Sequence, residues 1–219
     1  MPTLPGLDLR DGVQGLIRSY AAADLALLWR QVSNAAEAEV ALRDILPALI
    51  QTYGSAAAVL AANWYDEARE KAGVGGSFTA IPADFDDVGA QSLVGWAKSQ
   101  ATDLTAFEAL ILGGMQRRIA NYSRGTVTRS SVADPASTGW KRIGSGECAF
   151  CAMLIGRDEL YSQATADFAS HDNCNCSAYP ILKGAEPIKV KDYVKSARND
   201  GSDRYEADYA RAREWIATH

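Results

Sequence analysis

The sequence predicts a mainly α-helical protein, with a helical body followed by a small cysteine- and histidine-bearing module and a short C-terminal helix. Three observations carry the prediction. Residues 1–133 are rich in Ala, Leu, Arg and Glu, with apolar positions at helical spacing. That stretch holds few runs of β-branched residues, the usual mark of strands. All four cysteines lie between residues 148 and 176. We therefore expect a helical domain over 1–133, a Cys/His module over 134–185 and a tail with a short helix over 186–219.

The 219 residues suffice for one good-sized domain with a real hydrophobic core. A net charge of −5 argues against a generic nucleic-acid coat. The N-terminus shows no basic segment leading into an apolar one, so the reading expects no secretory signal. The longest apolar stretch, Leu46 to Trp64, is interrupted by Pro47, Gln51, Thr52, Tyr53, Gly54, Ser55 and Asn63. Such interruptions are wrong for a membrane span, which points to a soluble chain, and the absence of an export signal points to folding in a reducing compartment.

Val13, Leu16, Ile17, Tyr20, Leu27, Leu28 and Val32 trace one face of a first helix, with Asp11 as its cap. A second helix starts near Asn34 and Glu37 and meets Pro47, which is expected to kink or end it. Gly54 is a second weak point, after which Ala56 to Lys71 reads as helix, stopped by Gly73, Gly75 and Gly76. Phe78 to Pro82 reads as extended, and Asp84 or Asp86 starts a helix reaching Gln100. Thr102 or Asp103 caps a further helix running to about Thr128, in which Gly113 and Gly114 mark close packing or a bend. Ser130 to Gly146 has the Ser, Asp, Pro, Thr and Gly content of a connector, and Tyr205 to Thr218 has the spacing of a short amphipathic helix.

Between the connector and the tail lies the part with chemistry. Cys148 and Cys151 form a Cys-x-x-Cys pair, and His171, Cys174 and Cys176 form a His-x-x-Cys-x-Cys cluster. Reduced thiols at this spacing suit a tetrahedral ion with Zn–S distances of about 2.3 Å, so the residues point to structural zinc. Four ligands are enough, which leaves one of His171, Cys174 and Cys176 outside the ligand set. Other readings of the same residues remain open: two disulfides, or a cysteine nucleophile built from Cys148 or Cys151 with His171 and Asp172. A hydrolytic zinc with Glu147 or Asp172 as base, and a nucleophilic Ser145 between two glycines, are weaker. His219 is the only other histidine, so metal and catalysis compete for His171.

Arg117, Arg118, Arg124, Arg129, Lys141 and Arg142 make the chain's basic stretch, opposed only by Asp134. It reads as a solvated helix face, with weak DNA contact through Arg117, Arg118, Arg124 and Arg129 as the functional alternative. Trp140, Phe150, Met153, Leu154 and Tyr161 are expected to glue the small module to the helices. Asp66 and Arg69 are spaced as an i,i+3 ion pair.

Gly139-Trp140-Lys-Arg142-Ile, Cys148-Ala-Phe-Cys151-Ala-Met-Leu154, Tyr161 and His171-Asp-Asn-Cys174-Asn-Cys176 together resemble minor head proteins of tailed bacteriophages of actinobacteria. Asn63-Trp64-Tyr65-Asp66-x-x-Arg69 and Arg124-Gly-Thr-Val extend the resemblance over about residues 20 to 182. MuF-type head-morphogenesis proteins carry a similar cysteine and histidine ending. The resemblance implies a minor capsid protein that binds the portal protein and the major capsid or scaffold protein. It would work in the host cytoplasm during assembly and then inside the virion head. Proteins of this kind are often labelled capsid maturation protease, so cleavage of scaffold or capsid protein is the alternative activity that it implies.

Overall fold

A computed structural model describes residues 6–85, 89–144, 148–156, 160–162 and 168–182. The described chain is mainly helical, with one small sheet. Helix α1 (Leu7–Leu16) passes through a π-turn at Ile17–Ala21 into α2 (Ala22–Trp29). Gly6 starts α1 without a side-chain cap, and Asp11 lies inside the helix rather than at its start. The wider turn adds a residue and rotates the buried stripe. Leu9, Val13, Ile17, Ala21, Leu25 and Leu28 are therefore the buried positions, whereas Tyr20 and Leu27, expected on the same face, are 60% and 52% exposed.

Helix α3 (Ala35–Ala72) is a single continuous helix. Asn34 caps it by accepting from the Ala36 and Glu37 amides, and Gly73 closes it in the left-handed region. The helix does not end at Pro47. Proline removes the amide that would bond the carbonyl four residues back, and that carbonyl, on Arg43, instead accepts the Gln91 side-chain amide at 2.8 Å. Gly54 is a contact point for the Tyr122 ring, where a Cβ would lie 2.5 Å from ring carbons. By length and composition α3 resembles a membrane-crossing helix. In this fold one face, from Ala38 through Leu42, Leu46, Ile50, Ala57, Ala61 and Tyr65, supplies the core.

Helix α4 (Ala90–Gln100) follows Gly89, and Asp103 caps α5 (Leu104–Ala133) through the Ala106 amide. The helix start expected at Asp84 is not formed there, and Asp86 lies outside the described residues. Helix α5 runs past Thr128 to Ala133. Contacts fix the directions. Tyr122 meets Gly54, Thr126 bonds the Ala58 carbonyl and Asp134 meets Tyr65, so α3 and α5 run parallel. Arg43 meets Gln91 and Glu39 meets Lys98, so α4 runs antiparallel to α3. A Cβ on Gly114 would lie 2.3 Å from Leu93, which explains the glycine as the point where α4 and α5 approach closely.

Residues 78–85 carry the chain back along α5. Their amides are not paired in a sheet, since Asp66, Ser130 and Thr126 side chains accept from Ala80, Ile81 and Ala83 at 2.9 Å each. Asp66 is therefore engaged here and not with Arg69.

The segment read as a connector instead completes α5 and forms β1 (Ser137–Ile143), which pairs antiparallel with β2 (Ser177–Leu182). Trp140 faces Pro180 and Ile143 faces Ser177 in the register. Gly139 has φ 135°, and a Cβ there would lie 2.3 Å from the Tyr161 carbonyl oxygen, so the position needs glycine. Between the strands lies α6 (Ala149–Gly156). The expected C-terminal helix over 205–218 lies outside the described residues.

Candidate metal centre

Strand β1 delivers the chain to Gly144, packed so tightly that a Cβ would lie 2.9 Å from the Cys176 sulfur. Cys148 then starts α6, its sulfur accepting from the Cys151 amide at 3.1 Å. This turn puts both thiols on one side of a helix start, where unpaired amides favour negative charge. The second half is a tight turn in which the Cys174 amide donates to the His171 carbonyl. Asn173 adopts φ 61° in that turn. Its amide side chain seats in the notch left by Gly113 of α5, where a Cβ would come within 2.9 Å of Nδ2.

These two halves bring five donors together as two groups that share Cys151. Cys148, Cys151 and His171 form one, and Cys151, Cys174 and Cys176 the other, with the donor atoms of each within 4.8 Å of one another. His171 Nε2 lies 2.9 Å from Cys148 Sγ and 3.4 Å from Cys151 Sγ. Cys151 and Cys174 sulfurs are 3.7 Å apart. All four cysteines are free thiols, not disulfides. His171 Nδ1 sits 2.6 Å from the Asp172 carbonyl oxygen; with Nδ1 protonated, that bond directs the Nε2 lone pair at the sulfurs.

The cluster's electrostatics are uneven. Burial opposes ionisation of Cys148, but hydrogen bonds from Cys151 and His171 outweigh it and hold the thiol below its ordinary value. Burial, then the Cys148 thiolate, push Cys151 up to about 12. The hydrogen bond from Cys176 leads in drawing Cys174 down to about 4, with Arg124's charge helping against burial, while the same bond drives Cys176 upward. Burial would lower His171, yet the Asp172 carbonyl and Cys148 together raise it.

Behind the cluster stands Arg124, which is 2% exposed. Its Nη2 donates to the Cys174 carbonyl at 2.6 Å and its Nε to the Cys176 carbonyl at 2.9 Å. Nη1 donates to Asn121, and the guanidinium lies 5.0 Å from the Phe168 ring centre. Burial pulls this arginine down to about 10. Arg142 lies over the same ring and donates to the Phe168 and Ala169 carbonyls. Trp140, 1% exposed, stacks on Tyr161 and Phe168.

Several expectations are corrected here. The Asp172 carboxylate pairs with Arg117 at 3.1 Å, so the group orienting His171 is a backbone carbonyl and not a carboxylate. Phe150, expected to pack, is 43% exposed. The basic stretch is not one face: Arg124 is buried, Arg118 caps the Gly114 and Gly89 carbonyls, and Arg129 lies over Phe85. Glu147 and Ser145 lie outside the described residues. Reading the sequence missed Arg124, Phe168, Asn173 and Gly144 as parts of the site. Only the Gly113–Gly114 pair signalled that something packs closely there.

Among known families, the model described as VG15 protein matches residues 7–212. No curated protein and no solved structure matches the chain.

Proposed function

The chain belongs to the VG15 protein family and is a phage protein, and from that premise we propose that it is a MuF-like minor capsid protein of head morphogenesis. In this reading it binds the portal or the inner capsid shell during assembly in the host cytoplasm and remains inside the virion head, with structural zinc closing its Cys/His cluster.

The observation that carries the binding role is an apolar groove of about 910 Å³ between α2 and α3, lined by Leu27, Leu28, Val32, Val40, Ile45 and Leu49. Val40 is 72% exposed, Leu27 52% and Ile45 44%. Contiguous exposed apolar surface of this kind is typical of protein–protein contact sites.

The donor set fits zinc. Bonds of about 2.3 Å in a tetrahedron require sulfurs about 3.8 Å apart, against the 3.7 Å found between Cys151 and Cys174. Cys148 and Cys151, with two of His171, Cys174 and Cys176, would supply the four ligands. Bound zinc would contribute cross-linking of the loop carrying His171 to the start of α6, where the chain has little core of its own.

The double variant Val40→Asp/Ile45→Asp tests the binding role. It should fold, keep its zinc and fail to enter phage heads. Normal incorporation of a folded, zinc-loaded double variant would overturn the reading.

The 2.9 Å contact between Cys148 and His171 favours a second reading, a capsid maturation protease with Cys148 as nucleophile and His171 as base. Under the first reading His171→Ala damages assembly without leaving uncleaved scaffold or capsid precursor. Under the second, precursor accumulates while the protein stays folded.

A further inference from the structure

We propose that Arg124 is the counter-cation and positioning clamp of the metal centre, so that the centre holds three or four thiolates and carries net negative charge. The inference rests on the metal-binding reading above and adds the charge state and the residue that sets it.

A guanidinium is always charged, and burying it is costly unless negative charge faces it. Arg124 is 2% exposed, yet its hydrogen-bond partners among the described residues are neutral: the Cys174 and Cys176 carbonyls and the Asn121 side-chain oxygen. The Phe168 face is neutral as well. Both carbonyls belong to cysteines of the cluster, whose sulfurs become thiolates on ligating a metal, and the like charge of Arg142 nearby adds to the need for them.

The charges then balance. Four of the five donors are cysteines, so any four-ligand set contains at least three sulfurs. A dication with three thiolates and a neutral imidazole sums to one negative charge, and with four thiolates to two. Cys174 is already a thiolate at neutral pH, and each ligating thiol that is still protonated releases its proton to solvent on binding. A two-thiolate centre completed by water would instead be neutral and leave Arg124 without a counter-charge.

The clamp is geometric as well. Two donors of one rigid fork hold the carbonyls on either side of Asn175, which fixes the backbone between the two cysteines. This part of the chain reaches α5 through Arg124 and through Asn173 in the Gly113 notch.

The test is zinc titration of the purified full-length protein against a chromophoric chelator. Arg124→Met should weaken zinc binding 10- to 100-fold, the range for partners of metal ligands, and Arg124→Lys should recover a large part of that loss. Zinc-edge X-ray absorption of the unaltered, zinc-loaded protein should count three or four sulfurs around the metal, a readout that does not depend on any variant folding. Three results would overturn the assignment: only two sulfurs around the zinc; Arg124→Met binding as tightly as the unaltered chain; or Arg124→Lys no better than a folded Arg124→Met. A chain that binds no zinc at all fails at the metal-binding reading itself, and takes this assignment with it.

Discussion

Arg69 on α3 and Asp134 at the end of α5 form a buried ion pair, with Nε 2.6 Å from Oδ2 and Nη2 3.1 Å from Oδ1. Their side chains are 8% and 0% exposed. Tyr65 donates to the same carboxylate at 3.1 Å, and the Ala136 amide holds its other oxygen. One carboxylate thus joins the two parallel helices and sets the turn into β1.

Removing one partner leaves a buried charge without its mate. Asp134→Asn and Arg69→Met should each cost about 3–5 kcal/mol in urea unfolding. A loss below about 1 kcal/mol, the range of an exposed pair, would show that the pair is hydrated in solution.

The same pair gives a pH dependence. Burial works against the Asp134 carboxylate, but the bonds from Arg69, the Ala136 amide and Tyr65 outweigh it and hold its pKa below the ordinary 3.8. A depressed folded value means that the stabilisation is complete above the unfolded pKa and is lost as pH falls through the folded one. Stability should therefore drop as pH falls below 3.8, and Asp134→Asn should flatten that part of the curve.

Glycines separate by what surrounds them. Gly54→Ala would place a Cβ 2.5 Å from the Tyr122 ring, and Gly114→Ala one 2.3 Å from Leu93. Overpacking of this kind should cost about 1–3 kcal/mol each. Gly15 in α1 has nothing within 4 Å, so Gly15→Ala should stabilise by about 0.5–1 kcal/mol. Thermal melts of the three variants give the sign directly.

Gly113→Ala probes the link between α5 and the candidate metal centre. Its Cβ would displace Asn173 and disturb the turn between His171 and Cys174. Zinc affinity should fall while helical circular dichroism is retained. Unchanged affinity would mean that the turn holds itself.

In the metal-free protein, Cys148 should be alkylated first. It is the only one of the four cysteines that is not buried, and its thiol is held below the ordinary value. Reactivity follows thiolate character and access. Peptide mapping after brief iodoacetamide treatment, with and without added zinc, checks both the order and the protection by metal.

Local chemistry made much of this molecule legible from sequence alone. The helix start near Asn34, the cap at Asp103 (Thr102 being the other candidate) and the Gly73 stop depend on residues a few positions apart and stand where the pattern puts them, whereas the stripe expected through Tyr20 and Leu27 and the cap expected at Asp11 do not. The spacing of Cys148, Cys151, His171, Cys174 and Cys176 likewise identified a cluster whose members the fold brings together. Tertiary structure decided what rests on distant partners. Pro47 stays inside α3 because Gln91 takes the freed carbonyl, and the turn-like residues 137–143 become a strand because β2 pairs with them. Arg69 leaves its neighbour Asp66 for Asp134, 65 residues away. Arg124 is the sharpest case: an arginine on a helix reads as solvated unless one knows that the carbonyls of Cys174 and Cys176 arrive beside it. Periodicity records which face is apolar, but it carries no information about which polar group will be buried with a partner supplied from elsewhere in the chain.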